Sequence, residues 1–388
     1  MSSRSPAVTA TSWLVLAAIV AVALNLRPIL AATGPLLDLI QADTGIDDQH
    51  AGLLTTLPVF AMGLCALWAA HLQRWFGSRQ GIVLGVSIIT LACAVRLFWY
   101  QDYALIITAA AGGLGIALVQ ALMPSFIKSR FAERASTIMG LYSTGIMGGA
   151  AFAAAIAPPV AISLGWSPAL AIWALPALAA LLLWMSQTQS RGSAPAQYHG
   201  IPWRLPRAWL LMAFFGIGTG GYTLALAWLS PYYTQLGWTP TESGLLLALL
   251  SIGEVIAGLT VSALVGRFHD RRPLLWTVLV FVLLGLAGLV WAPLTLAIPA
   301  TLVLAFGLGS LFPLSLIITM DHADSPDHAG ALLGFVQGGG YMIASAMPLI
   351  AGIIRGHFDD LGHAWSLMMV AAVVLMFMAA RFRPNAHR

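Results

Sequence analysis

The chain has 388 residues, with 18 basic and 14 acidic side chains, so 8% are formally charged while 59% are hydrophobic. A soluble domain of average make-up is roughly a quarter charged, and 8% is too little to wet the surface of a soluble protein of this length. With a mean hydropathy of +0.87, lipid must be the main solvent, which excludes a cytosolic enzyme, a disordered protein and a secreted disulfide scaffold.

A spanning helix needs about 20 mainly apolar residues. Twelve stretches qualify: 12–37, 50–71, 80–99, 103–127, 135–160, 167–186, 207–231, 242–265, 273–292, 295–319, 329–354 and 363–381. The first runs through Arg27 and Pro28 into a further apolar turn, too long for the core of a secretory signal, and is read as a retained helix. With the N-terminus in the cytoplasm, fifteen of the 18 basic residues fall inside. Arg96 and Arg355 fall outside, and Arg27 is left within a span. Asp38, Asp43, Asp47, Asp48, Asp102, Glu242, Asp359 and Asp360 fall outside, and an even helix count puts both termini in the cytoplasm.

The basic residues are scattered over loops, so no nucleic-acid partner is expected. Cys65 and Cys93 lie in apolar runs and read as small fillers. Residues 187–206, rich in Gln, Ser, Gly, Pro and Arg, read as a cytoplasmic linker between two six-helix halves, 1–186 and 207–388. The halves look alike. Residues 51–80 laid on 243–272 match at eight of thirty positions, including Gly52/Gly244 and Arg79/Arg271. At a nearly equal offset, Gly113-Leu-Gly115 falls on Gly307-Leu-Gly309. Six helices per half give both the same polarity, related by an axis along the membrane normal, with a solute site between them at the midplane. The expected fold is all-α, twelve transmembrane helices in two pseudo-symmetric parallel repeats. Gly140/Thr144/Gly148 and Gly330/Gly334/Gly338 line one face of the fifth and eleventh helices, either as packing surfaces or as surfaces on which the halves pivot.

Several motifs carry a resemblance. They are Asn25-Leu-Arg-Pro-Ile-Leu with Gly34-Pro-Leu-Leu, Leu53-Leu-Thr-Thr-Leu-Pro, Gln120-Ala-Leu-Met-Pro-Ser-Phe-Ile-Lys, Gly220-Gly-Tyr, Ser243-Gly-Leu-Leu-Leu-Ala-Leu and His269-Asp-Arg-Arg. With these, the chain resembles the major facilitator superfamily, and within it the cyanate and 2-nitroimidazole transporter family. The resemblance implies a secondary transporter of the inner membrane, without a cofactor, acting as a monomer by alternating access. The superfamily's loop signature after helix two is degraded: Arg74 stands where Asp is usual, although Gly77 and Arg79 fit. A gating salt bridge in that loop is therefore not carried over.

Arg27 is the sharpest single signal. Facing lipid it would cost roughly 2.5–3.5 kcal/mol on insertion scales, so it must face a polar interior, as a structural ion pair or as the anchor for an anionic or polar solute. Ala31 and Gly34, on the same face, would leave room for that solute. Pro28 frees a carbonyl one turn back. Glu254, central in the eighth helix, is read as a proton carrier, as Arg27's counter-charge or as a polar wall. Gln120, Gln337, Tyr142, Tyr222, Trp228 and Tyr341 are further candidates for solute binding, against the alternative that each only packs. The loop group Asp321, His322, Asp324, Asp327 and His328 lacks ordered metal-ligand spacing, and nothing suggests a nucleophile triad or a phosphate loop. The expected function is secondary transport of a small, cyanate-like anion or polar solute, proton-coupled through Glu254; the alternative is export of small heteroaromatics such as nitroimidazoles.

Overall fold

A computed structural model describes residues 10–99, 101–131, 134–186, 204–268, 270–323 and 326–382. Among them all regular structure is helical. Twelve helices are long and apolar enough to cross a membrane: α1 (Trp13–Thr44), α2 (Asp48–Leu67), α3 (Ser78–Val95), α4 (Tyr103–Phe131), α5 (Ala135–Leu164), α6 (Trp166–Met185), α7 (Pro206–Gln235), α8 (Pro240–Arg267), α9 (Arg272–Trp291), α10 (Ala297–Asp321), α11 (Ala329–Phe358) and α12 (Gly362–Ala379). The expected linker, 187–206, lies outside the described residues apart from 204–206, as does His269.

All twelve expected spans are present, several with a further turn. Once nucleated, a helix gains a hydrogen bond per added residue, so α1 continues past its apolar stretch until Gly45, at φ 74, turns its N–H back onto Gln41 O. The next helices start on strong caps. Asp47 accepts the His50 N–H at 2.7 Å ahead of α2, and Thr239 with Glu242 forms a capping box for α8.

Proline shapes the bundle. A helical proline leaves the carbonyl four residues earlier without its N–H, and lipid offers no substitute. In four places a glycine on a neighbouring helix lies against that carbonyl. Pro28 frees Leu24 O on α1, which is met by Gly149 of α5. Pro158 frees Ala154 O on α5, met by Gly244 of α8. Pro231 frees Ala227 O on α7, met by Gly34 of α1, and Pro313 frees Gly309 O on α10, met by Gly258 of α8. A Cβ would sit 2.5 Å from the carbonyl oxygen at Gly244 and overlap it at Gly149. Backbone can approach this closely only where there is no side chain, and Cα–H···O contacts of this kind contribute about 0.5–1 kcal/mol each. A fifth freed carbonyl, Ala344 O below Pro348 on α11, accepts the Thr223 hydroxyl of α7 at 2.9 Å.

Gly34 thus seats α1 on α7 and does not clear space beside Arg27 as the sequence suggested. The repeat is visible in the packing. A Cβ at Gly52 would lie 2.7 Å from Pro348 O, as one at Gly244 would lie 2.5 Å from Ala154 O, so α2 meets α11 as α8 meets α5. The Gly113-Leu-Gly115 match is not position-for-position. Gly113 lies on α2 and Gly115 on α3, whereas Gly307 lies on α9 and Gly309 on α8, the reverse order of partners.

These contacts separate two kinds of glycine. Gly149→Ala would force α1 and α5 apart and should cost about 1–3 kcal/mol, read as a lower midpoint in detergent unfolding. Gly140→Ala, with nothing within 4 Å of the added Cβ, should leave that midpoint unchanged.

Candidate functional site

A cavity of about 720 Å³ lies between the first six and last six spans. It extends to the ends of the helices on the face where α1 begins and α12 ends, where Ala69, Gly140, Ser262, Met320 and Gly330 line it. Gly140 and Gly330 have no neighbour within 4 Å of an added Cβ, and neither does Gly334 further in. The expected small-residue stripes therefore do not pack at these positions but border the open cavity. Gly338, deeper in α11, does pack, against Leu67 and Gly63 of α2.

The opposite face is shut by a polar latch. Arg355 of α11 pairs with Asp38 of α1 at 2.9 Å and Asp48 of α2 at 3.4 Å. Gln41 donates to Asp48 at 2.9 Å, and the Thr234 hydroxyl of α7 donates to Asp38. Trp228 belongs to this closure. Its indole N–H donates to Pro348 O at 2.9 Å, its ring lies 5.6 Å from Arg355 Cζ, and it is fully buried. The expectation that Trp228 lines a solute site is corrected on this point: its one polar atom is already bonded, and the residue does not reach the cavity.

The other candidates converge. Arg27, Gln120, Tyr142, Tyr222, Glu254, Gln337 and Tyr341 all line the cavity, from six different helices. Arg27 is placed by the break in α1. The first helical segment ends at Leu24, a second begins at Pro28, and Arg27, at φ −104 and ψ −20, joins them. Asn25, on the other side of the helix, donates to Ala21 O at 2.8 Å and Pro176 O of α6 at 3.2 Å, so it packs outward as expected.

Few of these polar groups are satisfied. Arg27 is 4% exposed. Its Nη1 lies 3.9 Å from Met62 Sδ, a weak acceptor, its Cζ lies 5.5 Å from the centre of the Tyr222 ring, and its Nε has no partner. Glu254 is 6% exposed, and neither carboxyl oxygen is hydrogen-bonded. The Tyr142 and Tyr222 hydroxyls are likewise buried without partners. Each such atom costs about 1–3 kcal/mol relative to a bonded one, and buried polar groups are rarely left so. Gly309 packs directly on the Glu254 backbone and so fixes where this carboxyl enters the cavity. A cation, a carboxyl group and two hydroxyls are thus desolvated around one space.

The metal-type loop group gives no comparable arrangement. Asp321 is engaged by Arg271 at 3.2 Å, and the side chains of Asp324, Asp327 and His328 lie outside the described residues. Two basic residues have roles that the sequence did not show. Arg355 was read only as an outside charge, and Arg96, also placed outside, is 1% exposed. A basic residue at the end of an apolar run fits either a loop or a buried end, and only contacts across helices separate the two.

The Major Facilitator Superfamily model matches residues 18–349 and 210–387. The chain is 37% identical over 370 residues to the cyanate transport protein CynX of Escherichia coli K12, covering 94% of this chain and 96% of that protein. It is 31% identical to the 2-nitroimidazole transporter of the same organism, covering 95% and 93%. A crystal structure of a D-xylose–proton symporter superposes with a TM-score of 0.77 at 15% identity, covering 97% of this chain and 98% of that one, which shows the shared fold. With the family model spanning nearly the whole length and a relative at 37% identity, the chain belongs to the Major Facilitator Superfamily.

Proposed function

We propose that the protein is a secondary active transporter that moves a small anion or strongly polar solute, cyanate-like in charge and size, by alternating access through this cavity. The observation that carries the reading is the convergence of unsatisfied polar atoms from Arg27, Tyr142, Tyr222 and Glu254 on one space. Arg27 is the anchor. Its guanidinium offers a planar donor fork and a permanent charge, and the tyrosine hydroxyls add donors around it, with Gln120, Gln337 and Tyr341 completing the wall. The relative named for cyanate transport supports the solute class. One chain lines the whole cavity, so a monomer suffices.

Charge supports an orientation and a means of coupling. With Arg96 buried, the loop count becomes fifteen basic residues on the side of the termini against Arg355 alone. That favours cytoplasmic termini in an inner membrane and an inward-open cavity. Uptake of a monovalent anion against an inside-negative potential costs about 2.3 kcal/mol per 100 mV. A proton carried on Glu254, which has no fixed partner, cancels that charge.

A second reading has its own support. A cavity of about 720 Å³ lies in the range of roughly 300–1,000 Å³ typical of drug-sized ligands, and the Tyr222 ring is presented beside Arg27. The second relative is named for a nitroimidazole. Under this reading, the solute is a small heteroaromatic carried outward.

Labelled cyanate uptake into proteoliposomes decides between them. Arg27→Ala should lower uptake by about 10–150-fold, the equivalent of one charge-assisted hydrogen bond at 1.5–3 kcal/mol. Glu254→Gln should remove stimulation by an inward proton gradient while keeping downhill flux. Equal uptake by wild type and Arg27→Ala would defeat the anchor, and thermal stabilisation by nitroimidazoles but not by cyanate would favour the second reading. Tyr142→Phe supplies an independent check. Its hydroxyl bonds no other group of the protein, so its removal should not lower stability and should raise it by up to about 1–3 kcal/mol, while KM rises by about 2–12-fold, the loss of one hydrogen bond.

A further inference from the structure

Arg96 sits just beyond the end of α3 and is 1% exposed. Its Nε donates to Thr108 Oγ1 of α4 at 3.1 Å and its Nη1 to Ile29 O of α1 at 3.3 Å. Its own carbonyl accepts the Ser167 hydroxyl of α6 at 2.8 Å. Among the described residues no carboxylate pairs with it. A buried charge without a counter-ion is expensive to hold, so the arrangement needs a reason that a neutral side chain would not meet.

The reason lies in the break of α1. Beyond Pro28 the Thr33 N–H turns to Leu30 O at 3.2 Å, in a tighter turn, so Ile29 O loses its helical donor. It is satisfied only from outside the backbone ladder, by the Thr33 hydroxyl at 3.1 Å and by Arg96. Ile29 is two residues from Arg27, whose carbonyl accepts the Leu30 and Ala31 N–H groups of the same turn at 3.0 and 2.9 Å. Thr108 and Ile29 belong to different helices, and a guanidinium can bridge them because its donors are fixed in one rigid plane. A lysine ammonium is a single donor centre on a flexible stem.

We propose that Arg96 is a positioning residue for the solute site: from behind α1 it fixes the turn after the break, and so aims the Arg27 side chain into the cavity. The proposal rests on the reading of Arg27 as the solute anchor, and its test keeps the two separable. The first arm needs no solute. In a background with Cys65→Ala and Cys93→Ala, Arg27→Cys is labelled in detergent by a water-soluble thiol reagent, with Ser143→Cys on the α5 wall of the cavity as control. Adding Arg96→Lys should slow labelling at position 27 at least threefold and leave position 143 unchanged. An unchanged rate at 27, or equal changes at both positions, would overturn the proposal. Where Arg96→Lys does not give folded protein, Thr108→Val, which removes only the Nε partner, takes the same test.

The second arm uses labelled cyanate. Arg96→Lys should raise KM at least fivefold with Vmax kept, and should add nothing further in an Arg27→Lys background, because its effect passes through that side chain. Multiplying losses in the double variant would overturn it. Uptake indifferent to Arg27 would remove the anchor reading and leave the labelling arm to decide on position alone.

Discussion

Hydrocarbon has no hydrogen bonds to give, and this constraint organises the molecule. Each proline inside a span releases a carbonyl that water would satisfy in a soluble helix. Here five of these releases are met from neighbouring helices: Gly149 on Leu24 O, Gly244 on Ala154 O, Gly34 on Ala227 O, Gly258 on Gly309 O, and the Thr223 hydroxyl on Ala344 O. The helices so joined include α1, α5, α7, α8, α10 and α11, all of which contribute cavity walls. Bending a helix and docking it on its neighbour are therefore the same event, and the cavity is what the bent helices enclose. The break in α1 goes further, since it also turns a permanently charged side chain toward that space.

The cavity reverses the rule that governs its walls. Five carbonyls freed by prolines are met from neighbouring helices, yet at the centre an Arg27 nitrogen, both Glu254 oxygens and two tyrosine hydroxyls are left without partners. Their energetic cost is borne by the apolar bundle around them. Because these atoms are already desolvated and fixed by helices, a guest that bonds them need not order them first, and its interaction is stronger in this low-dielectric setting than in water. Arg27 and Glu254 do not neutralise each other by direct contact, so both remain available to a third group.

Much of this was legible in the sequence, for a reason specific to membranes. A charge in an apolar run is so improbable that Arg27 and Glu254 announce themselves, and twenty-residue apolar runs mark the spans directly. Seven of the residues lining the cavity stood out in the sequence because polar or aromatic side chains at mid-span have few places to go. Trp228 misled because an indole serves equally as a ring for a guest and as a donor to a carbonyl, and only its bond to Pro348 O decides. The glycine stripes misled for a similar reason: spacing gives the face but not what the face meets, and Gly140, Gly330 and Gly334 meet nothing. The pairing of freed carbonyls with glycines joins residues on separate helices, over a hundred positions apart for Pro28 and Gly149, and no local pattern in one chain encodes it.

Three arginines show how burial and partnership together set what a charge does. Arg96 is fully enclosed, and its contacts, Ile29, Thr108 and Ser167, all come from the first six spans. Nothing in a movement between the two sets of helices would break them, and a charge so deeply desolvated could not be released cheaply, so it suits a permanent brace. Arg355 makes its contacts across the divide, to Asp38 and Asp48, at an edge where its side chain is 16% exposed and theirs 38% and 21%. Pairs that water can reach contribute only about 0–1 kcal/mol each, and their charges are re-solvated when they part, so these pairs add little to hold the face shut. Arg27 is as buried as a brace but lacks the contacts of one. A latch as firm as Arg96 would trap the protein with one face shut, and an anchor as well satisfied would have nothing left to offer a guest. Under the proposed function, reversible closure and solute recognition require the charges at these three depths to be partnered unequally.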